Sequence, residues 1–357
     1  MALLEYEDLH IALPTTARPV LDGITLTVAA GEVVALVGES GSGKSVTARA
    51  ALGLFPPGCV TRGRVRVDGI DLVGADEAGL HEVRTAKAAM IFQDPRAAIN
   101  PVRRVGDFLT ESLRIGQGWP KDRANARAVE LLTAVGLPDP ARHLDQYPHE
   151  LSGGMLQRVV IAAALTTEPR LLLCDEPTTA LDVSTQAETM SILGRLQRER
   201  GLGMLLITHD VELAAASSDR IYVMYAGRIV ETAPVADLFA TPAHPYTAGL
   251  LGSSPPLSGP AGPYGRLVPI PGAPMGLMES VPGCAFAPRC RFAEPGRCDL
   301  SPPPLRPHGP GEVACHRADE LTGELSGINP GTNPDMAATA ATIPAPARTG
   351  APDEEDR

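Results

Sequence analysis

The stretch GESGSGKS at residues 38–45 has the residue types and spacing needed to bind phosphate, because it fits the pattern G-x-x-x-x-G-K-[ST]. Its glycines allow a tight loop whose backbone N–H groups converge on phosphate oxygens, Lys44 adds a positive charge, and Ser45 can bind Mg²⁺. A flexible Gly-Ser loop is the alternative, but the apolar run before the stretch and ARAALGL after it favour a phosphate site. We therefore expect nucleotide binding by Gly38, Glu39, Ser40, Gly41, Ser42, Gly43, Lys44 and Ser45.

A second stretch, LLLCDEP at residues 171–177, is typical of a buried strand that ends in two adjacent carboxylates. Strand alternation predicts that Asp175 and Glu176 point in different directions and serve different roles. Asp175 would lie behind a Mg²⁺ ion, and Glu176 would polarise an attacking water molecule. Such a pair can also simply begin a turn, and it is the loop at 38–45 that makes hydrolysis the better interpretation.

A third stretch, LSGGMLQR at residues 151–158, predicts another anion-binding helix start. Ser152 is a natural N-cap, Gly153 and Gly154 expose backbone N–H groups, and a long apolar helix follows. Taken alone, such a stretch is more often an ordinary helix cap. One nucleotide does not need two such anion-binding segments from one subunit, which suggests that this segment binds the nucleotide of a neighbouring subunit.

The elements that must position these residues follow from hydrophobic periodicity. Residues 1–85 alternate short β-rich runs with turns, and the helical spacing in DRANARAVELLTAVG ends at Gly136. From 153 to 235 helix and strand alternate, which predicts a mostly parallel sheet covered by helices. After about Pro234 the chain becomes rich in proline and glycine, and the low-complexity tail at 321–357 is predicted to be disordered.

Composition excludes several classes of protein. The 357 residues carry 31 basic and 42 acidic side chains, a net charge of −11, which argues against a broad nucleic-acid surface. The acidic start MALLEYEDLH is unlike a signal peptide, and no apolar run approaches the ~20 residues of a membrane span. We therefore expect a cytosolic chain that contributes to any membrane function through a partner.

Over about residues 5–235 the sequence resembles the ATP-binding subunits of ABC transporters. Six motifs stand in the family's order: the phosphate loop, Gln93 in IFQDP, LSGGMLQR, LLLCDEP, Asp182 in ALD and His209 in ITHD. The resemblance implies an α/β fold whose core, at 1–235, is a P-loop NTPase (RecA-like) domain. This domain would include an antiparallel β part and a helical subdomain at about 95–160.

The same resemblance implies how the residues work. Two subunits would enclose two ATP molecules, each between the Lys44 loop of one chain and Ser152, Gly153 and Gly154 of the other, with Asp182 also at the nucleotide. Glu176, His209 and Gln93 would be catalytic, and Ser45, Gln93 and Asp175 would hold Mg²⁺. His209 would contact the γ-phosphate, and Gln93 would link the site to the membrane partner. Leu13 stands where the family places an aromatic residue against adenine, which predicts looser base selectivity.

The region 236–320 is similar to the C-terminal extension of oligopeptide and dipeptide importer ATPases, through HPYTAGLL at 244–251, IPGAP at 270–274 and GCAFAPRC at 283–290. The implied function is ATP hydrolysis coupled to peptide uptake, peripherally at the cytoplasmic face of the membrane. The implied partners are a homologous second ATP-binding subunit, two permeases and an extracytoplasmic solute-binding protein. An importer of nickel, glutathione or another small solute is the alternative, and a soluble ABC ATPase of translation, DNA repair or iron–sulfur assembly is a third.

Four of the six cysteines, Cys284, Cys290, Cys298 and Cys315, lie within 32 residues of this extension, whereas Cys59 and Cys174 fit ordinary buried positions in the core. Disulfides are disfavoured in a reducing cytosol, and unligated thiols are the simplest alternative. A metal would hold together a Pro-rich segment that has little apolar periodicity. Zinc and a [4Fe–4S] cluster both accept four thiolates. The resemblance to peptide importers favours the structural [4Fe–4S] cluster, with zinc as the second choice.

Overall fold

The computed structural model describes residues 2–179, 181–253 and 269–325, which form two β-sheets with helices packed around them. The strands in these residues are β1 Ala2–Ala12, β2 Leu21–Ala29, β3 Val33–Val37, β4 Val60–Val67, β5 Ile70–Asp71, β6 Ala88–Ile91, β7 Leu171–Asp175, β8 Gly203–Thr208, β9 Arg220–Tyr225, β10 Arg228–Pro234, β11 Arg306–His308 and β12 Gly311–Val313.

Helices of the described residues fall mainly between 95 and 164 and after β7. They are α1 Lys44–Ala50, α2 Glu77–Glu82, α3 Pro95–Ala98, α4 Val105–Glu111, α5 Lys121–Ala134, α6 Pro140–His143, α7 Gly153–Ala164, α8 Val183–Arg200, α9 Val211–Ser217, α10 Val235–Ala240, α11 Pro245–Gly252 and α12 Ala318–Leu325. None of them combines the length and the apolar character that crossing a bilayer requires.

The large sheet has the order β11-β12-β10-β9-β3-β8-β7-β6, and the strands from β9 to β6 are parallel to one another. Every residue of β3, β7 and β8 is buried, as expected for strands covered on both faces. Parallel strands end at the same edge of a sheet, so the loops after β3, β7 and β8 lie side by side. The predicted parallel sheet is confirmed, and it brings the phosphate loop to the two carboxylates.

The small sheet, β2-β1-β4-β5, is antiparallel and packs its apolar side chains against the large sheet in one core. Between α3 and α7 the chain is helical. Helix α5 buries Ala124, Ala128, Leu131 and Leu132, and it ends before Gly136, whose φ of 74° suits glycine. This is the helix that the periodicity predicts.

The segment after Pro234 has more regular structure than its composition suggests. Strand β12 pairs with β10 of the large sheet, and β11 pairs with β12. Helix α12 continues to Leu325, so the expectation that disorder begins at residue 321 is wrong. Leu321 and Leu325 lie one helical turn apart and are buried against Ala248, a contact that local composition cannot show. The rest of the predicted tail lies outside the described residues.

Candidate nucleotide-binding and hydrolysis site

The loop between β3 and α1 takes a shape that only glycine permits at two positions. Gly38 has a φ of 154°, and a Cβ there would lie 2.1 Å from the carbonyl oxygen of Met224. Gly43 has a φ of 110°, and a Cβ there would lie 2.8 Å from the Cδ2 atom of Leu21. The glycines of the motif therefore let the loop lie directly against β9 and β2, with its exposed side open at Ser40 and Gly41.

Lys44 is buried, and its ammonium group bonds to the loop itself. Its Nζ atom donates to the carbonyl oxygens of Gly38 at 2.8 Å and Glu39 at 3.0 Å. Burial lowers the pKa of Lys44, while the nearby carboxylates raise it. Ser42 is also buried, and its Oγ has no hydrogen-bond partner among the described residues. Both groups can bond to phosphate oxygens placed in the loop.

Ser45 and Asp175 form the part of the site suited to a divalent cation. The Ser45 Oγ atom donates to Asp175 Oδ1 at 2.9 Å, which joins the start of α1 to the end of β7. Burial raises the pKa of Asp175, and the Ser45 hydrogen bond opposes this rise. A hydroxyl and a carboxylate in contact are oxygen ligands of the kind that Mg²⁺ prefers. The sequence prediction for these two residues is compatible with this geometry.

The Glu176 carboxylate accepts two hydrogen bonds and lies beside a histidine. Gln93 Nε2 and Thr179 Oγ1 donate to its Oε2 atom at 3.0 and 2.9 Å, and His209 Nδ1 lies 3.3 Å from Oε1. Gln93 and His209 are exposed, so this carboxylate and its partners face solvent where a substrate can enter. The motif residues that lie 83 and 33 positions from Glu176 in sequence therefore meet in one site.

The two carboxylates diverge for a different reason from the one predicted. Asp175 is the last residue of β7, whereas Glu176 has a φ of 49° and has already left the strand. The left-handed conformation, and not strand alternation, turns Glu176 toward Gln93 and His209. Thr179 was not among the predicted residues, because a threonine after DEP has no distinctive sequence signal.

Ser152 and Asp182 form a second group at the starts of two neighbouring helices. Ser152 caps α7 by accepting from the Met155 N–H at 3.3 Å, and Asp182 caps α8 by accepting from the Thr185 N–H at 3.0 Å. Hydrogen bonds, chiefly from Ser184, hold the pKa of Asp182 well below its usual range. A Cβ at Gly154 would lie 2.8 Å from Thr185 Cγ2, so the two helix starts are in close contact.

In the described part of the chain, no hydrogen bond or ion pair connects Ser152, Gly153, Gly154 or Asp182 to residues 38–45. The phosphate loop and the LSGG helix start are thus two separate groups within one chain. This separation leaves open the prediction that the second group acts on a nucleotide held by another subunit.

The four clustered cysteines line one small cavity, together with His244. The pKa of Cys290 and of Cys315 is raised to about 11, chiefly by burial, with a smaller rise from the neighbouring cysteines and an opposing effect of backbone hydrogen bonds. Within the described ranges, no group of three or more His, Cys, Asp or Glu side chains is arranged to hold a metal ion. Cys174 is buried in the core as predicted, but Cys59 is only partly buried, packed against the edge of the core with its Sγ 3.5 Å from Thr61 Oγ1.

Comparison with known proteins agrees with these motifs. The family described as ABC transporter matches residues 21–179, and the family described as oligopeptide/dipeptide transporter, C-terminal region, matches residues 230–298. The oligopeptide transport ATP-binding protein OppD of Mycobacterium tuberculosis is 46% identical over 324 residues, which cover 90% of this chain and 53% of that protein. The chain thus spans about half the length of the first relatives that it matches.

Other relatives are matched over nearly their whole length. OppD of Bacillus subtilis is 45% identical over 84% of this chain and 85% of its own, and the dipeptide transport ATP-binding protein DppD of Escherichia coli is 42% identical over 88% and 97%. The solved dimeric structure of MJ0796, a bacterial ABC transporter cassette, has a TM-score of 0.58 at 28% identity and covers 65% of this chain and 98% of its own. The chain therefore belongs to the family of ABC transporter ATP-binding proteins whose named relatives serve oligopeptide and dipeptide transport.

Proposed function

We propose that the protein hydrolyses ATP as the ATP-binding subunit of a membrane importer of dipeptides or oligopeptides. The observation that carries this proposal is the meeting of Gln93, Glu176 and His209 beside the Ser45–Asp175 pair and the Lys44 loop. These groups supply what phosphoryl transfer to water needs, namely a phosphate cradle, a cation site and a carboxylate to orient water. The 42–46% identity to peptide transport ATP-binding proteins supports peptides as the cargo class.

In the proposed reaction the loop at 38–43 would bind the β- and γ-phosphates through backbone N–H groups, and Lys44 would move from the loop carbonyls to phosphate oxygens. Bound Mg²⁺ would supply charge neutralisation at the phosphates, with Ser45, Asp175 and Gln93 as the residues that hold it. Glu176 would orient the attacking water and accept its proton, while His209 would contact the γ-phosphate from the neighbouring strand end.

The second half of each site would come from another subunit. The LSGG helix start can bind an anion through Ser152, Gly153 and Gly154, with Asp182 beside them. This group makes no hydrogen bond or ion pair to residues 38–45 among the described residues of its own chain. Dimeric MJ0796 has also been solved in a post-hydrolysis state bound to ADP and Pi, which makes a dimeric arrangement reasonable here. The proposed partners are a homologous second ATP-binding subunit, two permeases at the cytoplasmic face of the membrane, and a solute-binding protein.

The substitution Glu176→Gln tests the assignment of the water-orienting carboxylate. Losing a general base should lower the rate of ATP hydrolysis by about 10²-fold or more while ATP still binds, so the variant should accumulate as a nucleotide-bound dimer. Steady-state phosphate release and size-exclusion chromatography with ATP measure the two effects. Glu130→Gln, an exposed carboxylate on α5, is the matched control. A Glu176→Gln variant that hydrolyses ATP at the wild-type rate would refute this role.

The finer parts of the proposal concern organisation and cargo. We divide the chain into an ATPase domain at 1–235 with helices at about 95–160, and an extension at 236–320.

Nickel, glutathione or another small solute is the alternative cargo. Cells that lack the gene should lose uptake of radiolabelled peptides and regain it on complementation. A deletion strain that takes up peptides normally but fails to take up nickel would exclude the peptide cargo.

The extension further leads us to propose a structural [4Fe–4S] cluster at Cys284, Cys290, Cys298 and Cys315. The four thiols line one cavity, and the His244 Nε2 atom beside it is fully buried with no hydrogen-bond partner among the described residues. His244 Nδ1 accepts from the Tyr246 N–H at 3.0 Å, which leaves the proton on Nε2, where a sulfur acceptor would satisfy it.

Metal analysis of anaerobically purified protein tests this part. Four irons per chain and broad absorption near ~400 nm are expected for a Cys₄ cluster. One zinc per chain would favour the second choice, and a metal-free, folded protein would exclude both. The cluster would stabilise the extension and would take no part in hydrolysis, because ATP hydrolysis transfers no electrons.

A further inference from the structure

Glu39, the second residue of the phosphate loop, makes contacts with three other side chains. Its carbonyl oxygen accepts from Lys44 Nζ at 3.0 Å, and its backbone N–H donates to the Tyr246 hydroxyl at 2.8 Å. Its carboxylate makes a bidentate ion pair with Arg289, with Nη1–Oε2 and Nη2–Oε1 distances of 2.6 and 3.0 Å. Two of the three contacts come from the C-terminal extension, more than 200 residues away in sequence.

Arg289 is itself fixed in one position. It ends the short helical turn Ala287–Arg289 immediately before Cys290, and only 6% of its side chain is exposed. Its Nε atom donates to the carbonyl oxygen of Pro271 at 2.8 Å, and its guanidinium lies over the ring of Phe286. A planar guanidinium held in this way presents its two remaining nitrogens to Glu39 in a single orientation.

The charge of Glu39 makes this contact important for nucleotide binding. Glu39 is the only acidic residue in the stretch 38–45, and a carboxylate on a phosphate-binding loop repels the anion that the loop has to bind. Arg289 neutralises this charge and fixes the carboxylate through two parallel hydrogen bonds. A loop in which Glu39 is unpaired would place a negative charge, in a largely buried setting, next to the incoming phosphates.

We propose that Arg289 of the cysteine-rich segment is a positioning residue of the nucleotide site, which neutralises Glu39 and fixes the phosphate loop at 38–43. This inference rests on the proposed ATP function, but it requires neither a peptide cargo nor a bound metal. It gives the extension a direct role in ATP binding. A disturbance of the segment from Cys284 to Cys298 is then transmitted to the phosphate loop through one ion pair.

The test compares Arg289→Met with Arg291→Met in the full-length protein. Arg291 lies two residues further along the same segment, is exposed, and packs on Phe292, so the second variant is a matched control. We expect Arg289→Met to raise the dissociation constant for ATP, measured by isothermal titration, by about tenfold or more, as for loss of a close charge pair. The increase should be larger at low salt, where the carboxylate is less screened. Arg291→Met should bind ATP as the wild type does.

Removal of the carboxylate separates a positioning role from simple loss of structure. The double variant Arg289→Met/Glu39→Gln should recover most of the affinity, because the repelling charge is gone. Equal ATP affinity of Arg289→Met and wild type, or a double variant that binds as weakly as Arg289→Met, would overturn the proposal. If Arg289→Met does not fold, Arg289→Lys keeps the charge but loses the bidentate geometry, so a smaller rise in the dissociation constant is expected, and wild-type affinity in that variant would overturn the claim that Arg289 fixes the loop. A wild-type protein that binds no ATP would instead refute the proposed function.

Discussion

The carboxylate of Glu231 provides a sharp prediction about pH and stability. Glu231 lies on β10 and is 3% exposed, and its two oxygens accept the backbone N–H groups of Ala243 at 2.7 Å and His244 at 2.9 Å. Burial raises its pKa from 4.5 to about 7. Burial also lowers the pKa of His244 to about 3, so this imidazole is neutral and provides no positive charge to favour the carboxylate.

The magnitude follows from the two pKa values. Raising a pKa from 4.5 to about 7 corresponds to about 3 kcal/mol in favour of the neutral carboxyl in the folded state. Because the folded pKa is the higher one, this contribution is fully present below pH 4.5 and is lost as the pH rises to about 7. Over that window Glu231 should therefore lower the free energy of unfolding by about 3 kcal/mol.

Glu231→Gln removes the titration and keeps the size of the side chain. An amide can accept only one of the two backbone N–H bonds, which changes stability by an amount that does not depend on pH. The measurement is the free energy of unfolding in urea, for wild type and variant, at several pH values from 5 to 8. The difference between them should change by about 2.5 kcal/mol across this range in favour of the variant at high pH. Glu199→Gln, an exposed glutamate at the end of α8, controls for general charge effects. A difference that is constant with pH would refute the reasoning.

Three further results are expected. Gly38→Ala should reduce ATP affinity at least about tenfold while far-UV circular dichroism stays native, because a Cβ would collide with the Met224 carbonyl and displace only the loop. Leu321→Ala should lower the free energy of urea unfolding by about 2–5 kcal/mol, whereas exposed Leu300→Ala should change it by less than about 0.5 kcal/mol. Ser152→Ala should lower it by about 1 kcal/mol through loss of the α7 cap.

Much of the fold could be predicted from sequence because its signals are local. The phosphate loop, the buried strand before Asp175 and the helix that ends at Gly136 each have a pattern within about fifteen residues. The family order of the motifs also predicts that Gln93, Glu176 and His209 belong to one site. Periodicity could not supply that contact by itself, because it depends on parallel strands whose order in the sheet differs from their order in the chain.

The remainder could not be predicted because it depends on contacts between distant residues. Nothing near Glu39 indicates that its charge is paired 250 positions later with Arg289, and the same is true of the burial of Glu231 beside His244. The left-handed conformation of Glu176 is imposed by the strand end and by its hydrogen-bond partners. The low complexity of the tail predicts disorder from Leu321 onward, although one buried helical turn orders this residue.

The pairing of β12 with β10 also has a consequence for how the chain reaches its folded state. Without β12, the backbone of β10 would be an open sheet edge next to apolar side chains, and such edges pair readily with other chains. Among the described residues, β11 forms this edge of the large sheet, and it has only three residues with Pro307 at its centre, so it is a poor template for further pairing. During synthesis, however, this protection arrives only after about eighty more residues have followed β10. A growing or truncated chain that stops before β12 should therefore aggregate through this edge, and chaperones would need to shield it until the extension closes the sheet.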